Sequence, residues 1–517
     1  MTDTTTKGRR QKKKSKAPAG APPEPTAAEV AKARRHPLAG VPLLKVFVPP
    51  ELLAPVITSA TEDGAPAEQA KELSPHSLPG GKLRTASGPA ARGWYAPRIQ
   101  GAPSTTRQAE ILNTGIIGAP TGVEGVVNGT DNLSSTMISH DAPTAYNSVP
   151  RKLTSPNVLV LGTVGSGKSS FVKTVCVIRP LLLAKHRAVV FDKKDQGDEG
   201  EYSGVARQLG AEPLRFSPDG RGTRLNLLDP LIVQGSGLIG QMQLVNAVAR
   251  IARDDKPATE WEENATQFAL QRLFADKEGG RASTMADLLP YLGHVPTDLG
   301  YSAEAKERYH QAGISIQLGL KNLLTAYGDV FDGETSKDVD LAHKLTVFDV
   351  SQLPSDGPAI PTIMSIGHQW LLGRLMKERG WITNVVYEEG WHMIAGPSAR
   401  LVKANQKLSR SLGISNVFVM HKGTDIPVGS EGYTVVQEAQ TVYAYRQDRP
   451  EDARWVTDTF GLNPDAAETL MNLDPGHCVF KYGSNPATHM RHVRSAWETA
   501  VTNTDEGMAG GAAPAAL

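Results

Sequence analysis

Only two cysteines occur in 517 residues, Cys176 and Cys478. They lie far apart, and neither has neighbours at metal-ligand spacing. That argues against a disulfide framework or a thiolate metal site and suits a reducing compartment. Both read as buried apolar side chains. Long hydrophobic runs are missing as well. No stretch reaches the roughly 18 apolar residues of a membrane-spanning helix, and the best candidate, residues 43–57, is broken by Pro49, Pro50 and Pro55. The N-terminus is basic, but no apolar segment follows the charges, so no secretory signal is expected. Net charge is close to nil: 55 Lys and Arg stand against 54 Asp and Glu, giving +1. No global field directs the chain to nucleic acid or to an anionic membrane.

What the chain does have is one loop, Gly162-Thr163-Val164-Gly165-Ser166-Gly167-Lys168-Ser169. It fits G-x-x-x-x-G-K-[ST], the phosphate-binding loop. An apolar run of strand length, Val158-Leu159-Val160-Leu161, precedes it. Ser170-Phe171-Val172-Lys173-Thr174-Val175 can follow as a helix. Strand, Gly-rich turn and helix N-terminus are the context the motif needs. Glycines let backbone N–H groups converge on anionic oxygens, and the helix terminus adds partial positive charge. Lys168 is expected to reach the β- and γ-phosphates of a nucleotide, with the Ser169 hydroxyl on Mg²⁺. The cofactor-binding set is therefore residues 162–169 with Ser170 behind them.

The length allows two or three domains. Residues 1–40 read as a disordered tail with a basic block from Lys7 to Lys16, either a tether to an anionic partner or a solvated tail. Residues 41–105, rich in Pro and Gly, read as a small β-containing or loosely ordered arm. Short strands are expected at Ile111-Leu112-Asn113 and Gly125-Val126-Val127-Asn128-Gly129, at the edge of the sheet that carries the loop. Residues 106–235 read as the first part of an α/β core. The period changes to helical over 236–334, with Leu244, Val245, Val248 and Ile251, and again Ala269, Leu270 and Leu273. The spacing of Ile314, Ile316, Leu318, Leu320, Leu323 and Leu324 fits a helix less cleanly. The core resumes over 335–500, with a helix at residues 363–378 and further strands near 433–446 and 477–482. Residues 501–517 read as a disordered tail.

The later strands carry the rest of the chemistry. Val385-Val386-Tyr387 runs into Glu388-Glu389-Gly390-Trp391. An apolar strand ending in two carboxylates is the second half expected of an ATPase site. Glu388 would hold Mg²⁺ through water, and Glu389 would act as general base on the attacking water. The next strand ends at Met420-His421-Lys422, where His421 could touch the γ-phosphate and report its loss. Arg410, just ahead of that strand, could be presented to a neighbouring subunit, since a guanidinium stabilises transition-state charge. Asp192, at the end of Ala188-Val189-Val190-Phe191, could help at the metal or simply cap. His392 reads as a packing or surface residue.

In order, these motifs resemble the traffic ATPases of conjugative and type IV secretion machines, the VirB-type, TraC-like group of the HerA/FtsK superfamily. The matching pieces are Asn113-Thr114-Gly115 through Gly129-Thr130-Asp131, the phosphate loop, Phe191-Asp192-Lys193-Lys194 with Glu201-Tyr202, and Arg224-Leu225-Asn226. Phe331 to Ser336, Phe348-Asp349, Glu388 to Trp391, Arg410, His421, Leu473-Asp474-Pro475-Gly476 and Glu498 complete the series. The likeness spans about residues 106–500. It departs from the family at two places: Glu388 stands where Asp is usual, and His421 where Gln is frequent.

The resemblance implies a RecA-like P-loop core of mostly parallel strands with an inserted helical subdomain. It further implies an ATP- and Mg²⁺-dependent motor in a ring, typically a hexamer, with Arg410 of one subunit serving the next. Membrane-embedded secretion or conjugation components would be its partners, and the protein would work in the cytoplasm at the inner face of the membrane. Direct DNA contact stays open. So do two other readings, a soluble DNA translocase of the FtsK/HerA kind and a nucleotide-binding scaffold with little turnover.

Overall fold

The structure is a computed structural model. It describes residues 125–503, apart from 196, 254, 278–280 and 297–299 and the side chains of 406, 407 and 409. The basic tail at 1–40, the arm at 41–105, the strand and lead-in motif expected at 111–115 and residues 504–517 lie outside the described residues.

Eleven strands form one sheet. They are β1 (Val127–Asp131), β2 (Met137–Ser139), β3 (Val158–Leu161), β4 (His186–Asp192), β5 (Leu214–Arg215), β6 (Leu345–Asp349), β7 (Ile382–Tyr387), β8 (Ile414–Met420), β9 (Thr441–Ala444), β10 (His477–Tyr482) and β11 (Thr488–His492). Their order across the sheet is β2-β1-β11-β10-β9-β3-β8-β7-β4-β6-β5. From β9 to β5 every pairing is parallel, and β10, β11, β1 and β2 extend the sheet antiparallel. The strand expected around residues 125–129 is β1, and it sits in this antiparallel margin.

The central strands are apolar along their length because both faces are covered. Leu159, Leu161, Phe191, Tyr387, Phe418 and Met420 face one core. Val158, Val160, Val190, Val386, Val417 and Val419 face the other. On the first face, in-register pairing stacks Phe348 on Phe191, Phe191 on Tyr387 and Tyr387 on Phe418, with ring centroids 4.8, 5.1 and 5.3 Å apart. This aromatic row lies one residue before the polar ends of β4, β6 and β7.

Four helices lie between β5 and β6: Pro230–Ile251, Glu260–Asp276, Met285–Leu288 and Ala303–Phe331. Leu244, Val245, Val248, Ala269, Leu270 and Leu273 are buried together, as their helical spacing predicts. The less regular pattern at 314–324 belongs to one 29-residue helix that breaks only at Tyr327, φ −139°. Two local expectations shift. The helix expected at 363–378 starts earlier, Ala359–Lys377. The first residues of the 433–446 stretch are helical, Glu431–Gln437, because Ser430 caps the Tyr433 N–H; the strand there is confined to β9.

The helix Pro230–Ile251 crosses Ala359–Lys377 through two glycines. A Cβ on Gly373 would lie 2.2 Å from the Leu231 carbonyl oxygen, and one on Gly235 would lie 2.8 Å from the Gly373 Cα. This contact ties the helical segment to the sheet. Gly373→Ala should therefore destabilise the protein by about 1–2 kcal/mol, the overpacking cost outweighing the gain in helix propensity. Urea denaturation reads this as a lower midpoint at unchanged slope. An unchanged midpoint would mean that the helices slide apart freely.

Candidate nucleotide-binding and hydrolytic site

The phosphate loop joins β3 to the helix that begins at Lys168. Gly165 and Gly167 take φ of +75° and +95°, which side chains rarely adopt. A Cβ on Gly167 would also lie 2.8 Å from the Gly476 N. The loop is held from three sides. Thr163 N–H donates to the Arg446 carbonyl at 3.0 Å, and Gly162 N–H reaches the carbonyls of Met420 and His421 at 3.2 Å. Gly476 N–H donates to the Ser166 carbonyl at 2.9 Å. The Leu473-Asp474-Pro475-Gly476 turn is thus a clamp on the loop. Ser166 Oγ donates to the Thr163 carbonyl at 2.7 Å, and Ser170 Oγ to the Gly167 carbonyl at 2.9 Å. Val164 is exposed at the tip. After one α turn, Lys168–Phe171, the helix continues as a wider π-helical stretch, Val172–Ile178.

Parallel register sets the opposing wall. Asp192 pairs with Asp349, and Glu388 follows Tyr387, which pairs with Phe191, so these carboxylates end neighbouring strands. All three are buried. Asp192 accepts from the Tyr202 N–H at 2.7 Å and the Lys194 N–H at 3.2 Å. Burial raises its pKa well above the ordinary carboxylate value. Asp349 accepts from Gly200 N–H at 2.9 Å and Ser351 N–H at 3.0 Å. These two aspartates therefore shape the loop after β4 rather than facing the phosphate loop. Glu388 accepts the Tyr202 hydroxyl at 2.6 Å and lies 3.3 Å from the Lys194 ammonium.

Glu389 turns away from its neighbour because its φ is +52°. A non-glycine residue in this region is strained by roughly 1 kcal/mol or more, a cost seen at functional sites. The turn brings its carboxylate to His421, with Nε2 at 3.0 Å from Oε1, while Trp391 Nε1 donates to Oε2 at 3.1 Å. On its other side His421 Nδ1 faces Lys168 Nζ at 3.5 Å. An ammonium has only protons to offer. Lys168 thus assigns the acceptor role to Nδ1, and the Nε2 proton points at Glu389. Burial would raise the Glu389 pKa, but the hydrogen bond from His421, the nearby Lys194 charge and the Trp391 hydrogen bond outweigh it and hold it at about 2. Glu389 is therefore ionised, as a general base must be.

Of the residues singled out in the sequence, the structure brings Lys168, Ser169, Glu388, Glu389 and His421 into one cleft, Ser169 and Glu388 through Lys194 and Lys168 and Glu389 through His421. Arg410 is not among them. Its guanidinium donates to the Thr154 carbonyl at 3.2 Å, at the opposite end of β8. The seven residues of that strand put it about 20 Å from its own phosphate loop. His392 is buried, stacked on Trp391 with ring centroids 3.6 Å apart.

Three site residues carry no role in the sequence reading. Lys194 Nζ hydrogen-bonds Ser169 Oγ and pairs with Glu388 and Glu201. Lys173 Nζ pairs with Glu201 at 3.3 Å. The available signals were a lysine inside the apolar run 171–178 and two lysines directly after a buried strand.

Nucleotide phosphates fit the loop's N–H groups and Lys168. Ser169 Oγ and Glu388 fit a divalent cation, since they already share a cationic partner and Glu388 Oε2 is buried with no hydrogen bond. Among the described residues no group of three or more His, Cys, Asp or Glu side chains forms a separate metal site.

This fold and loop define the class: a P-loop NTPase fold with a RecA-like, mostly parallel sheet. The fold is similar to that of VirB4 of Thermoanaerobacter pseudethanolicus, with a TM-score of 0.59 at 18% identity, covering 74% of this chain and 99% of that one. Plasmid coupling protein TrwB in complex with a non-hydrolysable ATP analogue gives 0.46 at 12% identity, covering 73% and 96%. TrwB in complex with ADP and Mg²⁺ gives 0.42 at 13% identity, over 73% and 96%. No protein-family model and no curated protein matches the sequence.

Lys168 yields a pH prediction. Burial, followed by the Lys194 charge, lowers its pKa to about 8. The shift is downward, so its charged form costs the fold stability in full below about pH 8, and that cost fades as pH rises from 8 toward the ordinary lysine value of 10.5. Phosphate binding needs the charged form. Affinity for a fluorescent ATP analogue should therefore fall above pH 8, approaching tenfold per pH unit. A flat profile to about pH 9.5 would show that Lys168 stays charged without nucleotide.

Proposed function

We propose that this chain is an ATP-hydrolysing motor of a type IV secretion or conjugation machine. The observation that carries the proposal is the chain Lys168–His421–Glu389. It places an ionised carboxylate beside a side chain that touches the phosphate-loop lysine. The fold likeness to VirB4 supports the choice of machine.

In this reading the loop N–H groups and Lys168 bind the β- and γ-phosphates. Ser169 and Glu388 hold Mg²⁺, which supplies charge neutralisation on those phosphates. Glu389 takes the proton of the attacking water, and Trp391 fixes its second oxygen. His421 links base and lysine, so loss of the γ-phosphate is felt along β8. Arg410, remote from its own site, serves a neighbouring subunit in a ring, for which a hexamer is our working size. We assign residues 106–235 and 335–500 to one ATPase core and 236–334 to its helical subdomain. Among the described residues no helix is long and apolar enough to cross a membrane. Membrane-embedded secretion or conjugation components are its proposed partners, at the inner face of the membrane.

Glu389→Gln should lower the ATPase rate by about 10²–10⁴ while leaving ATP binding intact. Equal rates in the variant and the wild type would remove Glu389 from the mechanism. The same assay with duplex DNA separates the machines: no stimulation supports the secretion motor, and strong stimulation supports a DNA translocase instead.

A further inference from the structure

The Lys194 ammonium is the centre of three oxygens. It hydrogen-bonds Ser169 Oγ and lies 3.3 Å from Glu388 Oε2 and 3.6 Å from Glu201 Oε2. Both carboxylates are buried, and neither Oε2 has a hydrogen bond. Their other oxygens are committed elsewhere, Glu388 Oε1 to the Tyr202 hydroxyl and Glu201 Oε1 to Lys173. Burial alone would lower the Lys194 pKa, but Glu388, Glu201 and Glu389 outweigh it and hold the ammonium above its usual value. Two of the three oxygens around this ammonium are those assigned above to the divalent cation. Mg²⁺ needs oxygens at about 2.0–2.1 Å, so it and the ammonium cannot share them.

We propose that Lys194 is a tethered counter-ion that occupies the divalent-cation position, with Glu201 as a second carboxylate of that position, so that the metal enters only together with nucleotide phosphates. The reason is electrostatic. Removing the ammonium leaves the buried Glu388 without a cation and Glu201 with Lys173 alone, and a buried unpaired charge is costly. A divalent ion can replace it there, but Lys194 must then find another anion. Lys168 stands close enough that the Lys194 charge lowers its pKa, so the cleft already holds two cations that repel. Phosphate oxygens supply the missing negative charge for both lysines. The flexible lysine stem allows the exchange, with Lys173 keeping Glu201 in place meanwhile.

This proposal rests on Ser169 and Glu388 being the metal position of a nucleotide site. Mn²⁺ alone is the probe, with binding followed by electron paramagnetic resonance of the free ion, without nucleotide. Wild type should bind Mn²⁺ weakly. Lys194→Met should bind it at least about tenfold more tightly, and Lys194→Arg, which keeps the charge, should behave like wild type. Adding Glu201→Gln to Lys194→Met should cancel the gain. Equal Mn²⁺ affinity in wild type and Lys194→Met overturns the proposal, and an unchanged gain in the double variant overturns the role of Glu201. If Lys194→Met is unfolded by circular dichroism, refolding on Mn²⁺ addition is the supporting result and failure to refold the contrary one. Fluorescent ATP analogue binding to wild type runs in parallel. Binding there with equal Mn²⁺ affinities sinks the counter-ion and leaves the nucleotide site standing, whereas no binding sinks both.

Discussion

Buried negative charge at the ends of neighbouring parallel strands is the constraint on which this site depends. Parallel register puts Asp349, Asp192 and Glu388 side by side above a stacked row of Phe348, Phe191 and Tyr387. The aromatic row keeps water from below, so each carboxylate must find donors from its own side. Asp192 and Asp349 find them in backbone N–H groups and thereby shape the turn after β4. That turn delivers Lys194, Glu201 and Tyr202 to Glu388. The phosphate loop then meets a wall already arranged by charge balance.

The two halves of the site meet through one imidazole. β3 carries the loop and β8 pairs beside it, so His421 follows directly from the register of Leu161 with Met420. The left-handed turn at Glu389 sends two consecutive carboxylates in different directions, one into the cation cage and one toward the loop. The strain at that residue is offset by the contacts of its carboxylate with His421 and Trp391. The antiparallel margin has its own part, because the turn before β10 places Gly476 against Ser166 and makes the loop's shape depend on the far side of the sheet.

Much of this was legible in the chain. The loop motif located the candidate site, and apolar strands ending in polar residues pointed to Glu388, Glu389 and His421 at its edge. Helical spacing found two of the helices between β5 and β6, Pro230–Ile251 and Glu260–Asp276, and fitted the long one, Ala303–Phe331, less cleanly. What local sequence could not carry was the role of Lys173, Lys194 and Glu201. Their meeting depends on register between strands distant in sequence and on a turn set by buried aspartates. Nor could spacing say that Glu388 and Glu389 diverge, since that follows from one positive φ. The helix at 431–437 was hidden by β-prone residues, Tyr433, Val435 and Val436, which the cap at Ser430 and burial against the core turn to helix. Arg410 stands apart: its place at the far end of β8 follows from the sequence order, since it directly precedes that strand.

The central claim is that Glu388 holds the cation and Glu389 does not. The direct measurement is the Mg²⁺ concentration needed for half-maximal binding of a non-hydrolysable ATP analogue, in wild type, Glu388→Gln and Glu389→Gln. The account predicts a requirement raised about tenfold or more in Glu388→Gln and unchanged in Glu389→Gln. The same Mg²⁺ requirement in Glu388→Gln as in wild type would contradict it.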